Sequence, residues 1–381
     1  MRRAKSLRHK HFRLAVLLAL VAALVPGTAS AATPIVEYGP VPSALPVGGV
    51  CEVEFDDTGA LWIEQYLSGQ VARFDPVSGT FANFSTPMPL SVPGGMDVAG
   101  DGLWLPQVTG NSLLRVDTTD GSMTEHLLPW ANAFSLTALD IPLHTGLGLA
   151  NDLAVGPDGA LWFTLGGLDS IGRYDPATGE WGRYRVPGEI LGQLGALFGI
   201  IKPGPGRTVL FNLPQLNKVA TIDVDTKAFT QYTMPTPASY PVGVRTAGDG
   251  TIWVGESLGM KIANIDPVTG RIVEYPLSGL GGILNSVLAG LGIGSVGNPL
   301  PMAGPIAEAA DGRIYFSVSF PAAFGLGNQI ARFDPTTRQV RMWPTPSSAS
   351  YPCDVNVTSP DAVWFGLLTP NRIGKLPLST P

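Results

Sequence analysis

The sequence has few of the side chains that carry common enzyme chemistry. Only 14% of its 381 residues are charged, and it contains 2 Cys and 4 His. It holds no His-Glu-x-x-His motif and no Cys/His cluster with zinc-ligand spacing, which excludes the familiar zinc sites. It also lacks an uninterrupted apolar run of about 20 residues, the length that a membrane-spanning helix needs. Because 45% of the residues are hydrophobic, disorder is excluded as well.

Glycine and proline are abundant instead. The chain contains 47 Gly and 35 Pro, spread along its whole length. These residues interrupt helices and favour turns. The composition therefore predicts many short strands joined by turns, and it excludes a helical bundle or a coiled coil.

Residues 1–31 have the pattern of a secretory signal peptide. A basic segment over 1–13 precedes a twelve-residue apolar run over 14–25, and small residues lead to an expected cleavage after Ala31. The apolar run is too short for a membrane anchor. The sequence therefore predicts a secreted protein, extracellular or periplasmic, with no membrane span and with one domain over 32–381.

Removal of this segment makes the chain strongly acidic. The segment holds six of the 24 basic residues and no acid, so the rest has 18 bases against 30 acids and a net charge of −12. Such a surface repels nucleic acid and anionic lipid. We exclude both as partners.

One pattern recurs along the predicted mature chain. A turn of the Asp-Gly type precedes a strand centred on an aromatic residue, a second strand follows and ends in Asp-Pro or a related turn, and a third ends near Tyr-x-x-Pro. The clearest copy runs over 156–179. The central position reads Trp62, Trp104, Trp162, Leu210, Trp253, Tyr315 and Trp364, and the turn aspartates are Asp75, Asp117, Asp175, Asp223, Asp266 and Asp334.

The repeat predicts an all-β fold, a seven-bladed β-propeller of four-stranded antiparallel blades. A unit of about 40 residues with four strands is typical of a propeller blade. The last unit has only three strands, and the segment over 34–38 resembles the outer strand over 271–275. We expect this N-terminal strand to complete the last blade and to close the ring.

The two cysteines have the same register in neighbouring blades of this ring. Cys51 lies eleven residues before Trp62, and Cys353 lies eleven residues before Trp364. Innermost strands approach one another near the axis, and an exported protein favours a disulfide. The register therefore predicts a Cys51–Cys353 disulfide, with two buried free thiols as the alternative.

The segments that join the blades resemble those of a known family. The segments over 233–244 and 343–354, with the repeat over 156–179, resemble the virginiamycin B lyase (streptogramin lyase) family and, more distantly, gluconolactonase-like propellers. The resemblance covers essentially the whole predicted mature chain. It implies a metal-dependent enzyme that opens a macrocyclic depsipeptide at its ester by elimination, using a His and a Glu at the channel mouth.

The positions that carry the chemistry in this family are only partly kept. The inner-strand position in Pro-x-Gly reads Cys51, Gly94, Asn151, Phe198, Val242, Pro305 and Cys353, with no His. The position three residues after the central aromatic reads Gln65, Gln107, Leu165, Leu213, Glu256, Val318 and Leu367. Glu256 keeps the acid of the family.

These positions define the candidate site. We predict His144 and Glu256 as catalytic residues, and Asn151, Asp152, Gln65 and Gln107 as ligand-binding residues. A solvated loop His with no catalytic task is the alternative for His144. No cofactor is certain, but carboxylates converging on the axis would suit a divalent cation, Mg or Ca, or water; they are Glu52, Glu54, Asp152, Glu308 and Asp354.

Four apolar, Gly/Ala-rich inserts complete the sequence. They span 136–149, 189–201, 280–305 and 320–326, and two of them predict short helices over 190–198 and 283–291. All four are expected on one face, where they would form a pocket for a small apolar or amphipathic molecule, a docking surface for a protein, or a local minicore. Three hypotheses follow: a lyase or lactonase acting on a hydrophobic cyclic ester, a non-catalytic ligand-binding propeller, and a protein-docking scaffold.

Overall fold

The computed structural model describes most of the chain after its N-terminal segment. The described residues are 33–46, 48–88, 91–100, 102–130, 134–135, 144–145, 148–188, 199–277, 302–319, 328–348 and 350–381. Those from Pro34 onward belong to one compact unit that ends at Pro381. Within these residues, no helix has the length and apolar character needed to cross a membrane. The predicted signal peptide lies outside the described residues.

Seven four-stranded antiparallel sheets form the blades of a propeller, as predicted. Blade one contains Val50–Phe55, Leu61–Gln65, Gln70–Asp75 and Thr80–Ser85. Blade two contains Asp97–Ala99, Gly102–Gln107, Ser112–Asp117 and Met123–Leu127. Blade three contains Ala150–Val155, Leu161–Leu165, Ser170–Asp175 and Glu180–Arg185. Blade four contains Ile201–Pro203, Thr208–Leu213, Lys218–Asp223 and Phe229–Thr233.

The remaining blades follow the same order from the axis outward. Blade five contains Pro241–Thr246, Ile252–Glu256, Lys261–Ile265 and Ile272–Pro276. Blade six contains Met302–Glu308, Ile314–Ser319, Gln329–Asp334 and Gln339–Pro344. Blade seven contains Pro352–Asn356, Ala362–Leu367, Arg372–Pro377 and, as its outer strand, the N-terminal Val36–Tyr38.

The N-terminal strand closes the ring, which confirms the prediction. Glu37 pairs with Gly374, and Tyr38 pairs with Ile373, in an antiparallel ladder. The Tyr38 ring stacks on the Trp364 ring at a centroid distance of 5.5 Å. The strand therefore covers the edge that blade seven would otherwise expose.

The recurrent residues of the sequence explain the blades. Each turn aspartate accepts a hydrogen bond from the backbone N–H two residues later, as Asp75 does from Val77 at 2.8 Å and Asp175 from Ala177 at 3.0 Å. The central aromatics are buried and face the neighbouring blade: Trp62 packs with Leu103 of blade two. Among the described residues, one buried apolar cluster fills each of the seven spaces between blades.

The connections contain little regular structure within the described residues. A two-stranded hairpin pairs Phe134–Ser135 with His144–Thr145, and two 3₁₀ helices, Gly166–Leu168 and Pro214–Leu216, lie in turns of blades three and four. The predicted helices over 190–198 and 283–291 lie outside the described residues. So do the insert over 320–326 and most of the insert over 136–149.

A disulfide joins the inner strands of blades one and seven, at the pair of cysteines that the register predicted. The Cα atoms of Cys51 and Cys353 are 4.9 Å apart, and 302 positions separate them in the sequence. The cross-link ties the first inner strand to the last one. Ring closure therefore has a covalent component beside the N-terminal strand.

Candidate functional site

Bulges in the inner strands shape the centre of the ring. In five blades the ladder between the first two strands shifts register near the start of the inner strand, between Val50 and Val53 in blade one and between Ala150 and Leu153 in blade three. The shifted segments contain Cys51, Asn151, Val242, Pro305 and Cys353, the Pro-x-Gly positions of these blades. Bulges change the direction of side chains and are common next to functional sites.

Side chains of the second strands hold these segments in place. The carboxylate of Glu64 accepts a hydrogen bond from the Glu52 N–H at 3.1 Å, and the Thr164 hydroxyl accepts one from the Asp152 N–H at 3.2 Å. In blade four, Asn212 Oδ1 accepts the Ile200 N–H at 2.6 Å. The same position of blades one, three and four therefore supports the inner strands with different polar groups.

A cavity of about 180 Å³ lies on the axis and is lined by charged side chains. Its lining includes residues at which inner strands end, such as Pro203 and Asn356. Its charged lining residues come from five blades: Glu52, Glu54, Asp97, Lys202, Arg245 and Asp354. Three of the five carboxylates expected on the axis thus line the cavity. Of the other two, Asp152 contacts Lys202, and Glu308 accepts the Gly248 N–H at 2.6 Å.

Lys202 is the centre of this charged group. Its ammonium lies 2.7 Å from Glu52 Oε1 and 3.6 Å from Asp152 Oδ2. Burial alone would lower the pKa of Lys202, but the nearby carboxylates of Asp152, Glu52 and Asp354 raise it well above its usual value. The ammonium therefore stays protonated at neutral pH.

Three carboxyl groups near Lys202, those of Glu54, Asp152 and Asp354, hold their protons more tightly than usual. Burial, followed by the charge of Asp97, raises the pKa of Glu54 to about 7. Burial is also the main cause that raises the pKa of Asp152 and of Asp354 to about 8. Lys202 and Arg245 are the cations of the cavity, and they do not compensate all of the carboxyl groups around them, so the centre of the ring takes up protons near neutral pH.

The residues around the axis do not fit the metal that the family resemblance implies. Among the described residues, no three His, Cys, Asp or Glu side chains are placed to hold a metal ion. The carboxylate of Asp152 accepts the Ile201 N–H at 2.8 Å and faces Lys202. These two contacts occupy the oxygen that a metal would need. We therefore derive no step through a metal.

Glu256 ends the second strand of blade five and is fully buried. No donor has hydrogen-bond geometry to either carboxyl oxygen; the nearby Ser239 hydroxyl donates to Asn217 Oδ1 at 2.9 Å and offsets part of the rise in the pKa of Glu256. A Cβ atom on Gly259 would lie 3.3 Å from Glu256 Oε2, so the glycine leaves room for the carboxyl. Burial raises the pKa of Glu256 to about 7.

The equivalent position in blade one shows what Glu256 lacks. The Gln65 amide donates to the Pro42 carbonyl at 3.0 Å and to Asn83 Oδ1 at 2.7 Å. Glu274 occupies the position of Asn83 in blade five, and it already binds Lys261 at 2.7 Å. A carboxyl group at 256 therefore has neither of the contacts that satisfy the glutamine.

The other predicted site residues lie on different blades. Gln107 of blade two is buried, and neither polar atom of its side chain has a partner. The Asn151 amide donates to the Gly199 carbonyl at 3.3 Å. His144 pairs through its backbone with Ser135 in the hairpin between blades two and three. Asp152 contacts Lys202 at the axis, whereas Gln65, Gln107 and Glu256 each end the second strand of a blade.

Three charged residues of the axial group, Lys202, Asp97 and Arg245, were not predicted. Lys202 lies in the inner strand of blade four, where Leu210 replaces the central aromatic. Without the aromatic, the sequence did not show which inner-strand residue lies opposite the central position. The structure pairs Lys202 with Leu210, so Lys202 is that residue. Asp97 pairs with Trp104 and accepts the Val155 N–H at 2.8 Å. The signal that could have found all three is the position opposite the central aromatic, which is Glu54 in blade one and Arg245 in blade five.

The fold and the axial site together define a seven-bladed β-propeller with bulged inner strands, a disulfide-closed ring and a charged central cavity. Residues 142–283 match the model of the Virginiamycin B lyase family. The chain is thus a virginiamycin-B-lyase-like propeller, which confirms the resemblance. None of the curated proteins compared with the chain matches it.

Solved structures of such lyases have the same fold. The virginiamycin B lyase of Staphylococcus aureus superposes with a TM-score of 0.68 at 21% identity, over 90% of this chain and 99% of that one. A streptogramin B lyase gives 0.69 at 22% identity, over 90% and 96% of the two chains. A catalytically inactive variant of the S. aureus enzyme with quinupristin superposes with a TM-score of 0.69 at 21% identity, over 90% of this chain and 99% of that one. At this identity the likeness shows the fold alone.

Proposed function

We propose that the protein is a secreted lyase that opens a hydrophobic cyclic ester or depsipeptide, with Glu256 as the proton acceptor. One observation carries the proposal: the Glu256 carboxyl is buried, has no hydrogen-bond partner and has a pKa of about 7. A perturbed carboxyl without a structural partner is typical of a catalytic acid or base. Secretion is supported by the Cys51–Cys353 disulfide.

Elimination needs a base whose pKa is close to the pH at which the enzyme works. The Glu256 carboxylate would take a proton from the carbon next to the one that bears the ester oxygen. The electrons of that C–H bond form a carbon–carbon double bond, the C–O bond breaks, and the acyl part leaves as a carboxylate. A base with a pKa near neutrality combines a large deprotonated fraction with good proton affinity.

The position of Glu256 in the fold supports this role. It lies within the residues that match the family model and keeps the acid at the position where the family has one. The end of the second strand and the connections between blades emerge on the same face, so the hairpin with His144 belongs to that face too. We propose His144 as a second group near the reaction. The turn over 257–259 would have to move to expose the buried carboxyl.

The experiment is the opening of quinupristin, followed by liquid chromatography and mass spectrometry. Elimination gives a linear product with the mass of the ring, whereas a lactonase adds one water. We expect Glu256→Gln to lower turnover by about 100-fold or more, the usual effect of removing a general base. Glu180→Gln, an exposed carboxylate on the outer strand of blade three, is the control and should keep full activity.

Equal turnover by the wild-type protein and Glu256→Gln, with both correctly folded, would remove Glu256 from the mechanism. The second candidate function is binding without catalysis. It is favoured by the Pro-x-Gly positions, since none of them is a His. Quinupristin or another apolar ring that binds the wild-type protein but remains unopened would support this second function.

A further inference from the structure

The family resemblance implies a metal, but the axis of this chain contains a lysine surrounded by carboxylates. Lys202 Nζ lies 2.7 Å from Glu52 Oε1 of blade one and 3.6 Å from Asp152 Oδ2 of blade three. Only 18% of the Lys202 side chain is exposed, against 8% for Glu52 and 5% for Asp152. Three inner strands, 50 to 150 residues apart in sequence, therefore meet at one ammonium group.

The backbone fixes the two carboxylates around this ammonium. Glu52 Oε2 accepts the Met96 N–H at 2.6 Å, and Asp152 Oδ2 accepts the Ile201 N–H at 2.8 Å. A Cβ atom on Gly95 would lie 1.9 Å from Asp152 Oδ1 and 2.3 Å from Glu52 Oε2, so only glycine fits between them. Both carboxylates are thus held in place independently of Lys202.

We propose that the ammonium of Lys202 is the resident cation of the propeller axis and takes the place of a divalent metal there. Carboxyl groups of Glu54, Asp97 and Asp354 line the same cavity, with Arg245 as a second cation, and Lys202 is the cation that contacts Glu52 and Asp152. A buried carboxylate without its counter-charge is strongly destabilising. Without the ammonium, the oxygens of Glu52 and Asp152 become available to Ca²⁺ or Mg²⁺, which prefer such ligands.

The test compares thermal unfolding of the wild-type protein and Lys202→Met, each in EDTA and in excess Ca²⁺ or Mg²⁺. The wild-type Tm should be the same in EDTA and in either cation. Lys202→Met should lose on the order of 5–10 °C in EDTA and should recover part of that loss when Ca²⁺ or Mg²⁺ is added. Lys202→Arg, which keeps the charge, should stay closer to the wild type.

Lys218→Met is the matched control on the same blade, because Lys218 Nζ contacts the neutral Gln231 side chain at 2.9 Å. It should show neither the loss in Tm nor the recovery with cations. A wild-type Tm that falls in EDTA would overturn the proposal, as would Lys202→Met with no loss or no recovery. If Lys202→Met does not fold, calorimetric titration of the wild-type protein with Ca²⁺ and Mg²⁺ decides. Absence of binding supports the proposal. Stoichiometric binding that the Lys202→Arg substitution alters, and that therefore occurs at the axis, overturns it.

Discussion

Replacement of both cysteines by serine is expected to lower the free energy of unfolding by on the order of 5 kcal/mol. Cys51 and Cys353 are separated by 302 positions, and the chain entropy that a cross-link removes from the unfolded state grows with the length of the closed loop. Because the bond joins the inner strands of blades one and seven, its loss also releases the ring at its point of closure. Urea unfolding of the Cys51→Ser/Cys353→Ser protein against the wild type measures the effect.

Reductant supplies the control for this experiment. It should shift the unfolding midpoint of the wild type toward that of the double variant, and it should leave the double variant unchanged. Non-reducing peptide mass spectrometry should find the two cysteines in one cross-linked peptide pair. Equal midpoints for the oxidised wild type and the double variant would show that the disulfide does not hold the ring.

The stability of the propeller is expected to fall as the pH rises from about 6 to about 8. The pKa is about 7 for Glu54 and about 8 for Asp152 and Asp354, all above the values of 4.5 and 3.8 that such groups have when exposed. A raised pKa in the folded state means that folding binds protons. The stability that this proton uptake contributes is fully present below the pKa of the unfolded state. It is lost as the pH rises through the pKa of the folded state. If the folded state binds one more proton than the unfolded state over two pH units, the free energy of unfolding falls by about 3 kcal/mol across that range.

The comparison of two aspartate variants isolates the axial groups. Asp354→Asn removes one of the raised carboxyls and should flatten the fall in the urea midpoint between these pH values. Asp361→Asn is the control, because Asp361 is exposed and its hydrogen bonds to Ser359 and Lys375 lower its pKa. A midpoint that is constant or rises through this range would contradict the account of the axis.

The propeller could be predicted because each blade repeats the same local signals. The turn aspartates bind backbone N–H groups within two residues, and the central aromatics fill the space beside the next blade, so each signal acts over a short range. The pairing of Cys51 with Cys353 spans most of the chain. It could still be predicted, because the repeat fixes both residues relative to Trp62 and Trp364.

The axial site could be predicted only in part, because its contacts join inner strands of different blades that are far apart in the sequence. The sequence indicated that Glu52, Glu54 and Asp354 converge on the axis, but the lysine that they surround comes from blade four, where Leu210 breaks the repeat. Lys202 and Glu52 are 150 positions apart, and no spacing rule connects them. Glu256 was predicted at the channel mouth, and the structure buries its carboxyl beside Gly259, at the end of a second strand.

The pH dependence of quinupristin opening tests the proposed role of Glu256 most directly. Because the base acts in its deprotonated form, kcat/KM should rise with pH and reach half of its maximum near pH 7, the pKa of the buried Glu256 carboxyl. The rise should disappear in Glu256→Gln. A rate that is flat through pH 7, a rise that persists in the variant, or the absence of any opening by the wild-type protein would contradict the proposal.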